Sequence, residues 1–87
     1  MADVQISAAQ SRAARAWLGI SIDELAEKAG IGRRAVADFE RGARMPYGRT
    51  LIAMRNALEA LGAQFLFDGK RPIGILFDGQ ECSSTNG

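Results

Sequence analysis

Arginines are concentrated in the middle of this chain. Residues 33–55 contain six arginines and two acidic residues, a net charge of +4, although the 87-residue sequence as a whole carries only +1. The guanidinium group binds phosphate oxygens through charged hydrogen bonds, and its fork matches the two acceptors on a guanine edge. Nucleic-acid binding requires a local basic face of this kind rather than a high overall charge. The alternative interpretation is a solvated arginine-rich face without a ligand.

The first two of these arginines lie at the start of a predicted helix. Apolar side chains recur at helical spacing in two short segments, at Leu25, Ala26 and Ala29 and then at Val36 and Phe39. The spacing predicts helices over residues 21–29 and 33–41, and Gly30 between them suits the left-handed conformation of a tight turn. This helix-turn-helix outline presents Arg33 and Arg34 at the amino end of its second helix, where side chains can enter the major groove of DNA.

Two further helices and a pair of strands are predicted around this unit. The capping-box pattern Ser7-Ala8-Ala9-Gln10 opens a helix over residues 8–18. A helix over residues 49–61 has an apolar stripe at spacings of three and four, formed by Leu51, Met54, Leu58 and Leu61. Residues 64–67 and 73–77 are apolar strands on either side of a turn. The predicted fold class is therefore mainly α, with four helices and a carboxyl-terminal β-hairpin or strand pair.

Length and composition limit the organisation and the chemistry of the chain. Residues 1–62 are expected to form the helical domain, residues 63–79 the hairpin and residues 80–87 a polar, disordered tail.

The sequence has neither a secretory signal nor an apolar run of about 18 residues, which predicts a cytoplasmic protein without a membrane span. There is no histidine and one cysteine, Cys82. A metal site, a cofactor or a Cys/His nucleophile is therefore not expected, and no enzymatic activity is predicted.

The segment from Ser21 to Pro46 resembles the lambda repressor/Cro-like helix-turn-helix family, also called the XRE type. The matching residues are Ser21, Leu25 and Ala26 in the first helix, Gly30-Ile31-Gly32 in the turn, and then Val36, Phe39-Glu40-Arg41-Gly42 and Pro46. The agreement extends from Ser7 to about Leu58. The resemblance implies a sequence-specific DNA-binding transcriptional regulator, in the role of a repressor, that binds a palindromic operator as a homodimer.

The resemblance also assigns roles to residues in and around the second helix of the motif. It implies that residues 32–38 face the DNA, with bases read by Arg33, Arg34, Ala37 and Asp38. Phosphate contacts are expected from Gly32, Arg41, Arg44, Tyr47, Arg49 and, more weakly, Thr50. In the family, an arginine of the first helix pairs with the glutamate of the recognition helix, which predicts a structural ion pair between Arg15 and Glu40.

Three positions depart from the family pattern. The glutamine with which the family contacts phosphate is Ile22 here, and an aliphatic side chain cannot make that contact. The usual serine before the recognition helix is Gly32, which is a weaker N-cap by roughly a few tenths of a kcal/mol. Asp38 stands where the family often has arginine, lysine or glutamine. Its carboxylate can accept a hydrogen bond from cytosine but repels phosphate.

The predicted hairpin is the expected dimer interface. Both strands are apolar at nearly every position, so both faces need cover, and an isolated hairpin is marginal in water. Pairing across a two-fold axis would bury Phe65, Phe67, Ile73, Ile75 and Phe77 and would place two recognition helices about one DNA turn apart. The alternative is a hairpin that covers only the helices of its own subunit. Trp17 is expected to pack against the hairpin, with a dimer surface as the second interpretation.

Two other functions fit the sequence. Some antitoxins are small chains of this type with a strand that pairs across the dimer. In that case a toxin protein would be a second partner and the regulated promoter would be that of the protein's own operon. The third hypothesis is a protein-interaction module that has kept the fold and lost DNA binding. Ile22 and Asp38 favour such a module, whereas the charge of the arginine-rich segment argues against it.

Overall fold

The computed structural model describes residues 5–77, which form four helices followed by a two-stranded antiparallel sheet. The elements are α1 (Ala8–Leu18), α2 (Ile22–Ala29), α3 (Arg33–Glu40), α4 (Gly48–Ala60), β1 (Ala63–Asp68) and β2 (Arg71–Phe77). This architecture confirms the predicted fold class. The predicted tail, residues 80–87, and the last two residues of the predicted hairpin segment lie outside the described residues.

Serines open the first two helices through reciprocal caps. Ser7 Oγ accepts a hydrogen bond from the Gln10 N–H at 3.0 Å, and Gln10 Oε1 accepts one from the Ser7 N–H at 3.0 Å. Ser21 and Glu24 make the same pair of contacts at the start of α2, at 3.0 and 2.8 Å. Each box satisfies two backbone donors at a helix end. The starts of α1 and α2 are therefore determined by local sequence.

The turn between α2 and α3 depends on Gly30. Its φ of 71° is a left-handed conformation that a residue with a Cβ adopts only with strain. The Gly30 N–H donates to the carbonyl oxygens of Ala26 and Glu27 and so closes α2. The chain then reverses over residues 30–32, and α3 packs against α2 as a helix-turn-helix requires.

One apolar core holds the helices together. Side chains from all four helices are fully buried in it, including Ala14, Leu25, Val36, Met54 and Leu58. Three of the four residues predicted for the apolar stripe of α4 are buried, but the prediction is wrong for Leu61, which is exposed. Leu61 follows the last residue of α4 and therefore no longer continues the helical spacing.

The hairpin covers the helices of its own chain with one face. In β1, Ala63 and Phe65 are buried, whereas Gln64 and Leu66 are exposed. Partly buried residues that also pack against the core are Phe67, Ile75 and Phe77. β2 contacts α1, and β1 contacts α4. The two strands pair with each other within one chain.

A side chain of α1 binds the hairpin backbone next to a bulge in β2. Leu66 pairs with Gly74, and β2 contains one extra residue, Ile73, directly beside this pair. Gln10 Nε2 donates to the carbonyl oxygens of Leu66 at 3.2 Å and of Gly74 at 2.9 Å. The buried side chain of Gln10 thus joins the start of α1 to the middle of the hairpin.

Candidate nucleic-acid interface

The amino end of α3 is open to solvent. Its N-cap, Gly32, has no side chain to accept from the first amide groups, and no side-chain hydrogen bond caps this helix in the described part of the chain. Arg33 and Arg34, the first two residues of α3, are both exposed. The free amide groups and the two guanidinium groups give this end a positive potential that suits an anionic ligand.

Arg33 is held by a carboxylate of the preceding helix. Its Nε lies 2.6 Å from Oδ1 of Asp23, a residue in the first turn of α2. The side chains of Arg33 and Asp23 are 63% and 72% exposed, so the ion pair lies on the surface. The closest atoms of the contact are Arg33 Nε and Asp23 Oδ1.

A groove runs between α3 and the loop that follows it. Its volume is about 530 Å³, and it is lined by Arg34, Ala35, Asp38, Arg44, Met45, Pro46, Tyr47 and Thr50. The groove brings Arg34 together with Arg44, Tyr47 and Thr50, three of the residues predicted to contact phosphate. Sequence reasoning missed Met45, which is well exposed here. Its position beside Arg44 in a loop between two helices is the signal that could have identified it.

Asp38 is paired within its own turn of helix. Its Oδ1 lies 2.6 Å from Arg41 Nη2, and its side chain is largely buried. The Asp38 carbonyl oxygen accepts hydrogen bonds from the N–H groups of Ala43 at 2.8 Å and Arg44 at 3.3 Å, which order the loop after α3. The residue predicted to read a base and the arginine predicted to bind phosphate therefore bind each other. The pairing reduces the repulsion that the carboxylate exerts on phosphate.

Three arginines are the available cations of this surface. In the part of the chain that the structure describes, Arg34, Arg44 and Arg49 are exposed and form no ion pair. A phosphate can bind them without first breaking a contact to a carboxylate. Ala37 and Thr50, also predicted to contact DNA, are half-buried.

Arg55, the last arginine of the basic segment, belongs to the packing of the hairpin. Its Nε lies 2.8 Å from Glu59 Oε2. Its guanidinium carbon lies 5.9 Å from the ring centre of Phe65 and 5.3 Å from that of Phe67, distances at which a cation is attracted to an aromatic face. Arg55 thus links α4 to β1 and is not counted with the DNA-facing residues.

An ion pair between α1 and α3 supports the other end of α3. Arg15 Nη2 lies 2.6 Å from Glu40 Oε1, and Arg15 Nε donates to both carboxylate oxygens at 3.1 and 3.0 Å. Ser11 Oγ donates to the same carboxylate at 2.6 Å, and Arg12 Nη1 donates to the Glu40 carbonyl oxygen. The hydrogen bond to Glu40 raises the pKa of Arg15 above its ordinary value. Three residues of α1 therefore hold the last residue of α3.

The residues predicted for the dimer interface do not all face solvent. Phe65 is buried in the core of its own chain, and Phe67, Ile75 and Phe77 pack against that core. Ile73, at the bulge, is the well-exposed member of the set. The side chains of the four others contact the core of their own subunit.

Exposed apolar side chains of the hairpin lie on β2, next to α1, and at Leu66 of β1. An open groove of about 710 Å³, termed here the α1–β2 groove, is lined by Ala9, Ala13, Trp17, Ile73 and Leu76 among other residues. The ring of Trp17 stacks on that of Phe77, with centroids 5.1 Å apart and an interplanar angle of 17°. Trp17 packs on the hairpin and still remains exposed on its other side.

The chain matches a known protein family. The family model described as helix-turn-helix matches residues 12–64, more than half of the chain. The matched segment begins in α1, includes the whole of α2, α3 and α4, and ends in β1. The family consists of DNA-binding regulatory domains and is not a family of enzymes. The comparison with curated proteins finds no match.

Among residues 5–77 there is no group of three or more side chains that could hold a metal ion. None of the helices in that range is long and apolar enough to cross a membrane.

Proposed function

Because the chain belongs to the lambda repressor/Cro-like (XRE-type) helix-turn-helix family, we propose that it is a transcriptional regulator that binds a palindromic operator as a homodimer. The observation that carries this proposal is the exposed amino end of α3, where Arg33 and Arg34 begin the helix and Arg34 lines a groove together with Arg44. In this proposal α3 is the recognition helix, and residues 32–38 face the bases.

Arg34 is the principal base reader in this proposal. It is exposed, lines the groove and forms no ion pair in the described residues, so its guanidinium fork can meet O6 and N7 of a guanine. Arg33 can do the same while Asp23 holds its Nε. Ala37 is small enough to contact a thymine methyl group. Asp38 can accept from a cytosine amino group only after its ion pair has opened.

Phosphate contacts come from residues around the recognition helix. Arg44 lies in the loop after α3 and Arg49 in the first turn of α4, and both are exposed. The hydroxyl group of the exposed Tyr47 can donate to a further phosphate oxygen. The free amide groups after Gly32 can bind another. Such contacts carry no base information, and they make binding steeply dependent on salt.

The homodimer forms, in this proposal, through the α1–β2 groove and the free edge of β2. Within residues 5–77, β2 is paired with β1 alone, so its other edge presents backbone donors and acceptors that a second β2 can bind. Beside this edge Trp17, Ile73 and Leu76 are 62%, 56% and 54% exposed. These three side chains line one open groove, and exposed apolar side chains that adjoin one another are typical of an interaction surface. A two-fold axis would bring two such patches together.

The regulator is, in this proposal, a cytoplasmic repressor. Occupation of an operator that overlaps a promoter excludes polymerase and requires no contact beyond DNA binding. DNA from upstream of the protein's own gene is the natural first probe.

The DNA-binding part of the proposal is tested by titrating the protein onto that DNA and following fluorescence anisotropy at several salt concentrations. We expect tight binding to one palindromic site that weakens steeply as salt rises. Arg34→Ala should lower the affinity for this site about tenfold, whereas Lys70→Ala, at an exposed residue of the hairpin turn, should change it little. Weak binding of equal strength to every sequence would contradict the proposal and would favour a protein-interaction module.

The dimer is tested by sedimentation equilibrium. We expect Ile73→Asp to convert a dimer into a monomer, because a charge in the interface would lose its hydration. Ile52→Asp is the matched control, since Ile52 on α4 is 53% exposed and Ile73 is 56% exposed. The emission of Trp17, the one tryptophan of the chain, should shift to the blue as the wild type associates. A wild type that is monomeric at every concentration would overturn this interface.

A further inference from the structure

Asp23 does not take part in the reciprocal cap of its own helix. The first turn of α2 contains two acidic residues, Asp23 and Glu24, and the reciprocal cap with Ser21 uses Glu24. Asp23 instead binds across the turn, with its Oδ1 2.6 Å from Arg33 Nε. A carboxylate in the first turn of α2 thus forms an ion pair with the first residue of the proposed recognition helix.

We propose that Asp23 is a positioning residue that holds Arg33 for base recognition and so determines how well the protein discriminates its operator from other DNA. The inference rests on the proposed function, in which α3 lies in the major groove. An arginine side chain at an exposed helix start has many rotamers, and an ion pair at a fixed point restricts them. Because Nε makes the closest contact, the edge of the guanidinium group formed by its two terminal nitrogens can face the acceptors of a guanine.

The carboxylate also opposes the main competing contact of Arg33. An arginine close to DNA can bind a phosphate in place of a base, and phosphate contacts carry no sequence information. The negative charge of Asp23, 2.6 Å from Arg33 Nε, repels a phosphate oxygen from the same position. A guanine edge is neutral and is repelled far less. Asp23 therefore lowers binding to unrelated DNA more than it lowers binding to the operator.

Arg34 provides the internal comparison. It follows Arg33 in sequence, is also exposed, and forms no ion pair in the described residues. α3 therefore begins with one arginine that is held and one that is free. The side chains of Asp23 and Arg33 are both mostly exposed, so their ion pair contributes little to folding stability. Its main effect is therefore expected in DNA binding.

The experiment compares Asp23→Asn with Glu27→Gln. Both remove one negative charge from α2, but Glu27 is exposed and forms no ion pair within residues 5–77. Each protein is titrated with the duplex that the wild type binds most tightly from a randomised library, and with a shuffled duplex of equal length and composition. For Asp23→Asn we expect the ratio of the two affinities to fall about tenfold, chiefly through tighter binding of the shuffled duplex. For Glu27→Gln we expect both affinities to change in equal proportion.

A double variant identifies the residue through which Asp23 acts. Asp23→Asn combined with Arg33→Ala should have the same affinity ratio as Arg33→Ala alone, because the two residues form one unit. The thermal midpoint of Asp23→Asn should stay close to that of the wild type, which separates positioning from a structural role. If Asp23→Asn and Glu27→Gln lower the ratio equally, or if the effect persists without Arg33, the inference is wrong and the proposed function stands. A wild type without preference between the two duplexes overturns both.

Discussion

Arg15 and Glu40 join α1 to the end of α3, with Arg15 Nη2 2.6 Å from Glu40 Oε1. The side chains are 19% and 4% exposed, so water screens the two charges weakly. Ser11 Oγ gives the carboxylate a further hydrogen bond at 2.6 Å. One end of α3 is thus fixed to the fold, while the other end presents its arginines to solvent.

Glu40→Gln should destabilise the protein by about 3 kcal/mol, because it leaves the largely buried guanidinium of Arg15 without its counter-charge. Urea denaturation would measure the change in the free energy of unfolding. Glu27→Gln, the same substitution at an exposed position, should stay within about 0.5 kcal/mol of the wild type. Equal stabilities of the two variants would mean that the ion pair contributes nothing measurable.

The same ion pair determines how the contribution of Arg15 depends on pH. The hydrogen bond to Glu40 raises the pKa of Arg15 in the folded protein above its unfolded value. Its stabilisation is therefore fully present below the ordinary arginine pKa and is lost only as the pH rises through the raised folded pKa. We expect the stability difference between wild type and Glu40→Gln to be constant from roughly pH 7 to pH 9. Urea denaturation at several pH values would measure this difference. A steady decline of the difference between roughly pH 7 and pH 9 would contradict a role of the Arg15 ion pair in it.

Arg44→Ala and Arg49→Ala should weaken binding to every duplex, whatever its sequence, because each removes a phosphate contact and no base contact. The slope of log affinity against log salt should become shallower by about one for each variant. Arg34→Ala should instead reduce the preference for the operator. If Arg44→Ala leaves the salt slope unchanged, that side chain does not contact phosphate.

Local signals in the sequence were sufficient to predict the helices. Ser7 and Gln10, three residues apart, predict a reciprocal cap that the structure contains. The buried face of the hairpin could not be derived in the same way. Strands that are apolar at nearly every position have no alternation to indicate which face is covered, and the extra residue Ile73 shifts the alternation of β2.

In the candidate interface, too, some features could be predicted from local sequence and others could not. The exposure of Arg33 and Arg34 follows from a short turn and a helix start, both of which are local. The ion pair of Arg33 with Asp23 depends on the packing angle of two helices and on side-chain rotamers, which the spacing of residues does not contain. The contact of Ser11 with Glu40 could have been predicted from the sequence. Ser11 lies four residues before Arg15, on the same face of α1, and thus close to the same carboxylate.

Gln10→Ala should loosen the hairpin more than the helices. Gln10 Nε2 donates to one carbonyl on each strand, at 3.2 Å to Leu66 and 2.9 Å to Gly74, and its Oε1 accepts from the Ser7 N–H. Loss of these bonds should cost about 2 kcal/mol. Amide exchange followed by NMR should accelerate in β1 and β2 more than in α2 and α4. If amide exchange accelerated equally in the strands and the helices, the hairpin would not unfold separately from the helices.

Gly30→Ala and Gly32→Ser should change stability in opposite directions, although the two glycines lie in the same turn. A Cβ at either position would meet no atom within 4 Å, so packing does not distinguish them. Gly30 has φ 71°, and the left-handed strain on alanine should cost about 1–2 kcal/mol. Gly32 has φ −72° and is the N-cap of α3, so serine can add the missing cap and should stabilise by roughly a few tenths of a kcal/mol. Thermal unfolding resolves both effects, because 1 kcal/mol shifts the midpoint of a domain of this size by about 4–8 °C. Midpoints that move in the same direction would mean that backbone conformation does not govern this turn.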